Sequence, residues 1–580
     1  MSASSSPSLP PAKRARSKSP VHEEADAGPA GLVSQAGDAA AAGPSTNANG
    51  SARAKDDGGA DKQHRKEEAR RARNKRKDYQ RTLSKSGREP IEFDIEELLG
   101  RRKVTDILSE GREFESKFPR DQEVELVIER LNSHGDGLAK NVDGDWVIAV
   151  PNTLPGERVV AQVTSNERMW SRAKLVKIIE GNSEKRRDDL VGCKYFGSCG
   201  GCQYQMLTYE EQLRIKQGVV ERAFKHYSEL DPSLVPEVLP TMPSPKQYNY
   251  RTKLTPHFNL PFELRRGRHG RHGDGVNAKA ADQKFDFPIG FDSIGTKRVM
   301  DIEECPIATV TINRALPVEK QRVKDTIHTY KNGATILLRD SLKSYESVAE
   351  DTLVQLDAGE GIEPDTEVVT NHKATVKERV WKTKFESPAG TFFQNNRSIL
   401  PSLLDYVREQ IVASRSRNGE PAEAVAAHSY LVDAYCGSGL FSLCLASLFK
   451  EVSGVEISSE SIKYAKKNAD LNGIANAKFL AGNAEDIFGR IDYPPERTTV
   501  IIDPPRRGCD EAFIEQLVKL GPSDIVYVSC NVHTQARDVG QLLRKAPEYE
   551  ILSVRGADLF PQTHHVEGVC VLRKKTAASA

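Results

Sequence analysis

The C-terminal third of the chain alternates short apolar runs with stretches whose apolar residues recur at helical spacing. The apolar runs predict five buried strands, which are Tyr430–Ala434, Glu451–Glu456, Lys478–Leu480, Thr499–Ile502 and Ile525–Ser529. The helical stretches are Leu440–Phe449, Glu460–Asn472 and Val532–Leu543. Strands that alternate with crossover helices predict a doubly wound, mostly parallel α/β sheet. A last pair of runs, Ile551–Val554 and Gly568–Leu572, has no helical pattern between its members and predicts an antiparallel hairpin at one edge of that sheet.

A different pattern occupies residues 119–182, where short alternating runs are separated by glycine turns. The predicted strands are Glu123–Ile128, Asp145–Val150 and Val159–Val163, and the turns are His134–Gly137 and Leu154–Glu157. This spacing predicts a small five-stranded barrel. The glycine turn and the Leu-Pro-Gly-Glu sequence resemble the TRAM domain, an OB-like RNA-binding module. A barrel that serves only as a structural lid is the alternative.

The other segments of the folded part are less regular. Residues 183–388 are predicted as a mixed α+β central domain that binds RNA, with a helix at Tyr209–His226 and a strand at Lys253–Phe258. The loop Arg265–His272 is rich in arginine and glycine, which suits contact with phosphates and equally suits an exposed insertion. Residues 91–118 are predicted as a short helical segment before the barrel, and residues 389–575 as the catalytic domain.

Composition adds a basic tail to this picture. Residues 1–90 are rich in Ser, Ala, Gly and Pro, which predicts disorder. They carry 18 Lys and Arg against 11 Asp and Glu, so the net charge of +1 for the whole chain hides a basic tail on a slightly acidic body. The clusters Lys13–Arg16 and Arg65–Lys77 are typical of import signals and also of a solvated linker.

Cysteine content and hydropathy indicate the kind of cellular compartment in which the protein is found. The chain has nine cysteines, no signal peptide and no long apolar run, which indicates a reducing compartment and no membrane span. We therefore expect the protein in the nucleus, the cytoplasm or both, with a mitochondrial fraction as a third destination to test.

The first predicted strand of the sheet runs into a glycine turn at Leu431–Gly439. Such a turn lets the backbone approach a ligand closely at the carboxyl end of the strand. Glu456 ends the second predicted strand 19 residues after Gly437, where a carboxylate can accept both hydroxyls of a ribose. Because there is no third glycine to cradle a pyrophosphate, S-adenosylmethionine fits better than a dinucleotide. Glycines that only pack a helix against the sheet are the alternative.

Asp503 opens the sequence Asp-Pro-Pro-Arg-Arg-Gly directly after the fourth predicted strand. The two prolines fix φ and remove two backbone donors, which gives a stiff ledge that points the Asp503 carboxylate into the crevice. The sequence resembles the Asp/Asn-Pro-Pro motif by which many methyltransferases hold a base beside the methyl donor. A proline-rich turn without such a role is the alternative.

Cys530 ends the fifth predicted strand, just before the predicted helix Val532–Leu543. The partial positive charge at the start of a helix favours a thiolate, so this position predicts a reactive cysteine. The alternative is a small apolar core residue, which is the commonest role of a free cysteine.

Five motifs in chain order resemble the RNA uracil-C5-methyltransferase family. They are Phe392–Asn396, Asp433–Gly439, Asp503–Gly508, Ser529–Asn531 and Phe560–Glu567. The resemblance covers about residues 120–573, and Pro504–Asp510 with Ser529–Asp538 is most similar to the fungal tRNA branch, which makes T-loop ribothymidine. It implies a class I S-adenosylmethionine-dependent methyltransferase fold with an N-terminal TRAM barrel and a mixed central domain.

The resemblance also implies a mechanism. C5 of uracil is too weak a nucleophile to take a methyl group unaided, so a thiolate adds to C6 and activates C5. By resemblance, that thiolate is Cys530, and Glu567 is the base that removes the C5 proton so that the cysteine is expelled.

Further residues are carried over from the family as lining the pocket for the methyl donor and the uracil. These are Gln394, Tyr435, Glu456 and Asp503, and Phe392 is expected to pack on the base. Because the target uridine is stacked in the T-loop, we expect the enzyme to extrude it, while the barrel and the basic loop hold the RNA backbone. Leu440 stands where bacterial tRNA enzymes tend to carry Asn, which removes one contact to the donor, and we expect activity to survive.

A second cysteine group resembles the iron–sulfur motif of the bacterial rRNA branch. Its members are Cys193, Cys199, Cys202 and Cys305. Four thiolates suit a 4Fe–4S cluster or a structural zinc, and the long separation of Cys305 fits a cluster better. Free thiols are the alternative. A cluster would have a structural role, since methyl transfer involves no redox step.

The sequence thus predicts an S-adenosylmethionine-dependent methyltransferase acting on C5 of a uridine in the tRNA T-loop. We expect tRNA as the partner, a monomer, and no binding to DNA or membranes. The same reaction on rRNA is an alternative, which the cysteine group supports and which Cys509-Asp510 and His533–Gln535 oppose. A tRNA-folding chaperone for which methylation is secondary is the other alternative.

Overall fold

The computed structural model describes residues 89–104 and 117–575, apart from residues 168, 263, 265–284, 347–364, 416–427 and 483–487. The predicted disordered tail with its basic clusters, up to residue 88, and the basic loop Arg265–His272 therefore lie outside the described residues. None of the helices in the described part of the chain has the length and apolar character needed to cross a membrane.

A short helix and a small barrel come first. The helix is α1 (Pro90–Leu99), and the strands are β1 (Glu123–Val127), β2 (Arg130–Leu131), β3 (Gly137–Lys140), β4 (Val147–Val150), β5 (Arg158–Asn166) and β6 (Trp170–Glu180). Their order in the sheet is β1-β5-β6-β4-β3-β2. Because β1 and β2 are successive parts of one short run of chain, the sheet closes on itself. Counting that run once, the prediction of a five-stranded barrel is confirmed.

The central region is a set of small antiparallel sheets with two helices. Its elements are α2 (Tyr209–Tyr227), β7 (Val238–Met242), β8 (Lys253–Leu254), β9 (His257–Phe258), β10 (Gly290–Asp292), β11 (Val299–Asp301), α3 (Val310–Asp325), β12 (Ala334–Thr335), β13 (Leu338–Leu342), β14 (Thr366–Val369), β15 (Thr375–Val380) and β16 (Thr383–Pro388). The single strand predicted at Lys253–Phe258 is wrong. Pro256 lies between two short strands that join different sheets, β8 with β13 and β9 with β10 and β12.

The large sheet holds the candidate site. Its helices and strands, in chain order, are α4 (Leu400–Arg415), β17 (Tyr430–Ala434), α5 (Leu440–Cys444), β18 (Glu451–Glu456), α6 (Ser459–Leu471), β19 (Ala477–Ala481), β20 (Thr498–Ile502), α7 (Glu511–Leu520), β21 (Asp524–Ser529), α8 (Val532–Lys545), β22 (Tyr549–Ala557) and β23 (Glu567–Lys574). The strand order is β19-β18-β17-β20-β21-β23-β22-β7, and β17 to β21 are parallel.

Two apolar layers cover the two faces of this sheet. Successive strand residues point to opposite faces, so Leu431 joins the layer with α4, α5 and α6, while Val432 joins the layer with α2, α7 and α8. The helix predicted over Leu440–Phe449 is shorter than expected. Nδ2 of Asn476 donates to the carbonyls of Ala446 and Phe449 at 3.0 and 2.9 Å, and the chain there forms a 3₁₀ turn instead.

The final hairpin differs from its prediction in one respect. β22 and β23 are antiparallel, as predicted, but the pair is not at the edge of the sheet. β23 lies between β21 and β22, and β7 of the central region pairs in parallel with the outer side of β22. A free β22 would expose a row of unpaired backbone groups, which β7 satisfies.

Candidate active site

Cys530 and Glu567 meet where β21 ends and β23 begins. Ser529, the last residue of β21, pairs with Gly568 in the antiparallel ladder between these strands. Continuing that register by one residue brings Cys530 opposite Glu567, and directly opposed residues have Cβ atoms about 5 Å apart. The side chain of Gln535 fixes the junction, because its Nε2 donates to the carbonyl of Gly568 at 3.0 Å and also to β21.

The loop that starts at Asp503 lies beside this junction because the first turn of α8 holds it. Nδ2 of Asn531 and Oγ1 of Thr534 both donate to the carbonyl of Arg506, at 3.0 and 3.2 Å. At its other end, the backbone N of Asp503 donates to the carbonyl of Ala434, the last residue of β17. The structure thus brings Asp503 next to both the cysteine junction and the glycine turn.

Asp503 and Glu567 are a pair of neighbouring carboxyl groups, of which Glu567 is buried and Asp503 is half-buried. Burial and then the charge of Asp433 raise the pKa of Asp503 to about 7. Burial and then the charge of Asp503 raise the pKa of Glu567 well above its usual value. Oε1 of Glu567 has no hydrogen-bond partner among the described residues. Two adjacent carboxylates repel each other, so in the protein without substrate the pair retains a proton that isolated carboxylates would have lost.

The thiol of Cys530 lies in an environment that opposes its ionisation. Burial raises the pKa of Cys530 to about 12, with Glu567 and Asp503 acting in the same direction, whereas the charge and a hydrogen bond of Arg506 lower it. Burial and the two carboxyl groups thus oppose the thiolate that the start of α8 is expected to favour. Asn531 already caps that helix end, because its side chain accepts a hydrogen bond from the backbone N of His533 at 3.2 Å.

The glycine turn after β17 is open on the side that faces solvent. Tyr435 has a φ of 66°, an unusual conformation for a residue other than glycine and one that is often found at functional sites. A Cβ atom on Gly437 would meet nothing within 4 Å, so a ligand can approach the backbone. The two carboxylate oxygens of Glu456 accept hydrogen bonds from the backbone N of Gly437 at 3.3 Å and of Ser458 at 2.9 Å, which hold the carboxylate beside the turn.

Asp433 lies beneath this turn and had no assigned role in the sequence analysis. Its Oδ2 accepts hydrogen bonds from the backbone N and the Oγ of Ser442, at 2.8 and 2.5 Å. Its Oδ1 has no partner among the described residues, and burial raises its pKa to about 7. A buried acceptor left open beside an accessible turn suits a ligand that brings a donor or a positive charge. These features fit S-adenosylmethionine.

Gln394 lies in a loop that links the pocket to the segment before Glu567. Gln394 is buried, whereas Phe392 is 71% exposed and so is free to meet a substrate. Nη1 of Arg339 donates to Oδ1 of Asn395 at 2.9 Å, which fixes the loop on one side. On the other side, Nδ2 of Asn396 donates to the carbonyl of Leu559 at 3.2 Å.

We call residues 558–566, which run into Glu567, the lead-in segment. A buried ion pair joins it to α2, because Nζ of Lys216 lies 2.5 Å from Oδ1 of Asp558 and both side chains are fully buried. Gln212 and Gln562 exchange two hydrogen bonds, one between their side chains at 3.1 Å and one from the backbone N of Gln562 to Oε1 of Gln212 at 3.0 Å. This anchor was not predicted from the sequence.

A signal for the anchor was present in the sequence. Gln212 and Lys216 are four residues apart and therefore share a face of α2 with the buried residues Val219, Val220 and Ala223. Polar residues on the buried face of an amphipathic helix require a buried partner, although the helix sequence does not say which residue supplies it.

The four cysteines of the proposed cluster line one cavity of about 260 Å³. Phe560, Thr563 and His565 of the lead-in segment form part of its wall. Burial raises the pKa of Cys202 to about 12, with the neighbouring Cys305 thiol acting in the same direction. Within the described ranges, no three or more His, Cys, Asp or Glu side chains are close enough to hold a single metal ion.

Comparison with known proteins places this site in a family. Residues 327–575 match the tRNA (Uracil-5-)-methyltransferase family, and residues 120–176 match the TRAM domain. A Schizosaccharomyces pombe protein named tRNA (uracil(54)-C(5))-methyltransferase is 46% identical over 459 residues, which cover 79% of each chain. The chain belongs to the tRNA (uracil-5-)-methyltransferase family. A Saccharomyces cerevisiae family member with the same name as the S. pombe protein is 37% identical over 530 residues, covering 83% of this chain and 80% of that one.

A solved structure supports the fold. The Pyrococcus abyssi tRNA (uracil-54, C5)-methyltransferase in complex with S-adenosyl-L-homocysteine superposes with a TM-score of 0.53 at 23% identity, over 77% of this chain and 99% of that one. The predicted α/β methyltransferase fold with a TRAM barrel is therefore confirmed for this member of the tRNA (uracil-5-)-methyltransferase family.

Proposed function

We propose that this protein methylates C5 of uridine 54 in the T-loop of tRNA, with S-adenosylmethionine as the methyl donor. One observation carries the proposal, namely the strand register that opposes Cys530 and Glu567 beside Asp503 and the open glycine turn. The names of the two fungal relatives support the choice of tRNA and of position 54. Asp433, Tyr435 and Glu456 would hold the donor, and Gln394 with Asp503 would meet the uracil.

The chemistry follows from the opposed pair. The thiol of Cys530 releases its proton to solvent, its sulfur forms a bond to C6, and the electron pair of the C5–C6 double bond moves into an enolate that extends to O4. C5 then attacks the methyl group of the sulfonium donor, and S-adenosylhomocysteine leaves. Glu567 takes the remaining proton from C5, the C6–S bond breaks, and the C5–C6 double bond returns.

Arg506 has a role in the proposal that the sequence analysis did not assign. Its charge lowers the pKa of both Cys530 and Glu567. Both groups act as anions in the reaction, so Arg506 counters the burial that otherwise keeps them protonated. We place it as a positioning and electrostatic residue for the thiolate and the base.

The test separates the two halves of the mechanism. Unmodified tRNA and rRNA fragments are incubated with S-adenosylmethionine and protein, and nucleosides are measured by mass spectrometry. The expected product is 5-methyluridine in tRNA, at position 54. Glu567→Gln should accumulate a covalent protein–RNA adduct that survives denaturing electrophoresis, and Cys530→Ala should form none. Equal amounts of adduct from both variants would refute the mechanism. 5-Methyluridine in rRNA alone would show that the substrate is rRNA.

We also propose a 4Fe–4S cluster at Cys193, Cys199, Cys202 and Cys305. Its support is that all four thiols line one cavity, with the lead-in segment as part of the wall. A cluster there would supply a covalent cross-link between residues 193–202 and Cys305, with no part in methyl transfer. After anaerobic purification we expect four iron and four sulfide per chain. Cys202→Ser should lose both, and iron-free protein with all four thiols titratable would refute the cluster.

A further inference from the structure

A row of aromatic rings runs from the TRAM barrel to the base of the proposed active site. His134, in the turn between β2 and β3, lies with its ring centroid 5.3 Å from that of His564, at an interplanar angle of 78°. His564 lies 4.1 Å from His565, and His565 lies 5.8 Å from Phe560. The row thus reaches the lead-in segment, in which His565 is two residues before Glu567.

The turn that carries His134 is rigid although the His134 side chain is exposed. Oδ1 of Asn132 accepts hydrogen bonds from the backbone N of His134 at 2.8 Å and of Asp136 at 2.9 Å. The backbone N of Ser133 donates to the buried carboxylate of Asp94 in α1 at 2.9 Å. The barrel core therefore does not need the His134 ring, yet the turn holds that ring at a defined place.

The turn is also packed closely against Tyr204, which is hydrogen-bonded to the lead-in segment. Gly135 has a φ of 84°, and a Cβ atom there would lie 2.7 Å from the ring of the fully buried Tyr204. The backbone N of Tyr204 donates to the carbonyl of Gln562 at 3.0 Å. Barrel turn and lead-in segment are therefore linked through one buried tyrosine.

Charge and burial favour a flat, neutral surface at this place. Burial lowers the pKa of His564 to about 2 and of His565 to about 4, so both imidazoles are neutral at physiological pH. His565 is two residues before Glu567, which continues the strand register opposite Cys530, so the row lies close to this thiol. Neutral imidazole faces beside a loop-RNA site are suited to stacking on bases.

We propose that His134 is an RNA-contacting residue whose ring stacks on the unpaired base of a nucleotide next to the target uridine. The inference rests on the proposed function and deepens it, because extruding the target leaves its loop neighbours without a stacking partner. A base is favoured over a phosphate since the surrounding row consists of neutral rings rather than lysines. The TRAM turn is thereby part of the active site and helps to select the nucleotide context of the target.

The experiment uses the full chain and T-arm hairpin RNAs in which one nucleotide flanking the target is replaced by an abasic residue. His134→Ala should raise KM for the unmodified hairpin about tenfold, as loss of one stacked base does, and change kcat by less than about twofold. His134→Phe, which keeps a flat ring, should restore KM. His428→Ala is the matched control, because His428 is also exposed but precedes β17, at the amino edge of the sheet.

The decisive comparison combines the His134→Ala variant with the abasic hairpin. At the contacted position, the abasic hairpin should raise KM about tenfold with the wild-type protein and add nothing further with His134→Ala. Additive effects at every position, or an unchanged KM in His134→Ala, would overturn the inference. If the wild-type protein makes no 5-methyluridine in the intact hairpin, the proposed function fails instead. Dissociation constants of the same hairpins, measured without methyl donor, then decide the His134 contact alone.

Discussion

The reactivity of Cys530 depends on a balance between burial, two carboxyl groups and one guanidinium. Burial raises the pKa of the thiol to about 12, Glu567 and Asp503 add to the rise, and Arg506 opposes it. We predict that Glu567→Gln lowers the pH midpoint for alkylation of Cys530 by iodoacetamide, because one anion next to the thiolate is removed. Arg506→Met should raise the midpoint. Peptide mass spectrometry measures alkylation of Cys530 separately from the other eight cysteines of the chain.

The same digest also provides an internal control. Cys570 is fully buried in β23, and the rise of its pKa has burial as its one cause, so its alkylation should not respond to either substitution. A shift of Cys530 in the same direction for both variants would mean that the substitutions act through solvent access rather than charge. The assay needs no RNA and is therefore independent of the substrate assignment.

At this scale, the grouping of the candidate residues could be predicted from the sequence, but their ionisation could not. The motifs that contain Cys530, Asp503 and Glu567 can be recognised in the linear sequence, and the structure brings all three residues together. The pKa of Cys530 depends on which groups lie around it in three dimensions and on the cap that Asn531 provides, neither of which follows from its position at a strand end. Asp433 was missed because its open Oδ1 is a property of the packed turn.

At the scale of elements, α2 decides where the lead-in segment lies. Lys216→Met removes one partner of the buried pair with Asp558, which leaves a buried carboxylate without its cation. We predict a loss of about 3–5 kcal/mol in the free energy of unfolding, measured by urea denaturation. Because the lead-in segment positions Glu567, kcat should also fall, and by a larger factor than the factor by which KM rises.

Two further variants show whether the effect belongs to the pair. Arg214→Ala lies on the same helix at an exposed position and should cost less than about 1 kcal/mol. The double variant with Lys216→Met and Asp558→Asn should be more stable than Lys216→Met alone, since no unpaired charge remains. If the double variant loses the sum of both single losses, the two residues act separately and the anchor is not an ion-pair effect.

The elements themselves were partly predictable. The predicted strands and helices of the large sheet match the observed ones to within two residues, except at β22, which ends three residues later, and at α5, where Asn476 bonds the turn that follows the helix. The helices α4 and α7 were not predicted. β7 could not be found, because Pro240 in the middle of Val238–Met242 argues against a strand in a sheet interior. It is tolerated because β7 is at the edge of the sheet, and that position is a property of the whole fold.

At the scale of the whole molecule, α1 connects the barrel with the large sheet. Its apolar residues Ile91, Ile95 and Leu99 pack on the barrel. Its opposite side contacts α2, where the ring of Phe93 stacks on His226 at 5.0 Å. The sequence analysis predicted a helix here but not its role as a connection, because both partners lie far away in the chain. The same helix supplies Asp94, which fixes the turn of His134.

Glu97 is the ionic centre of this connection, with Arg130 of the barrel at 2.8 Å and Lys225 of α2 at 2.5 Å. Burial would raise its pKa, but these cations overcome that effect and lower the pKa from 4.5 to about 2. A lowered folded-state pKa means that the stabilisation is complete above about pH 4.5 and is lost as pH falls towards 2. We predict that Glu97→Gln destabilises the protein at pH 7 and that the difference in free energy of unfolding from wild type shrinks between pH 4.5 and 3.

In a Trp381→Phe background, Trp146 and Trp170 report unfolding of the barrel by fluorescence. Glu184→Gln, at an exposed position, should follow wild type throughout, and a Glu97→Gln difference that stays constant down to pH 3 would contradict the ionic connection.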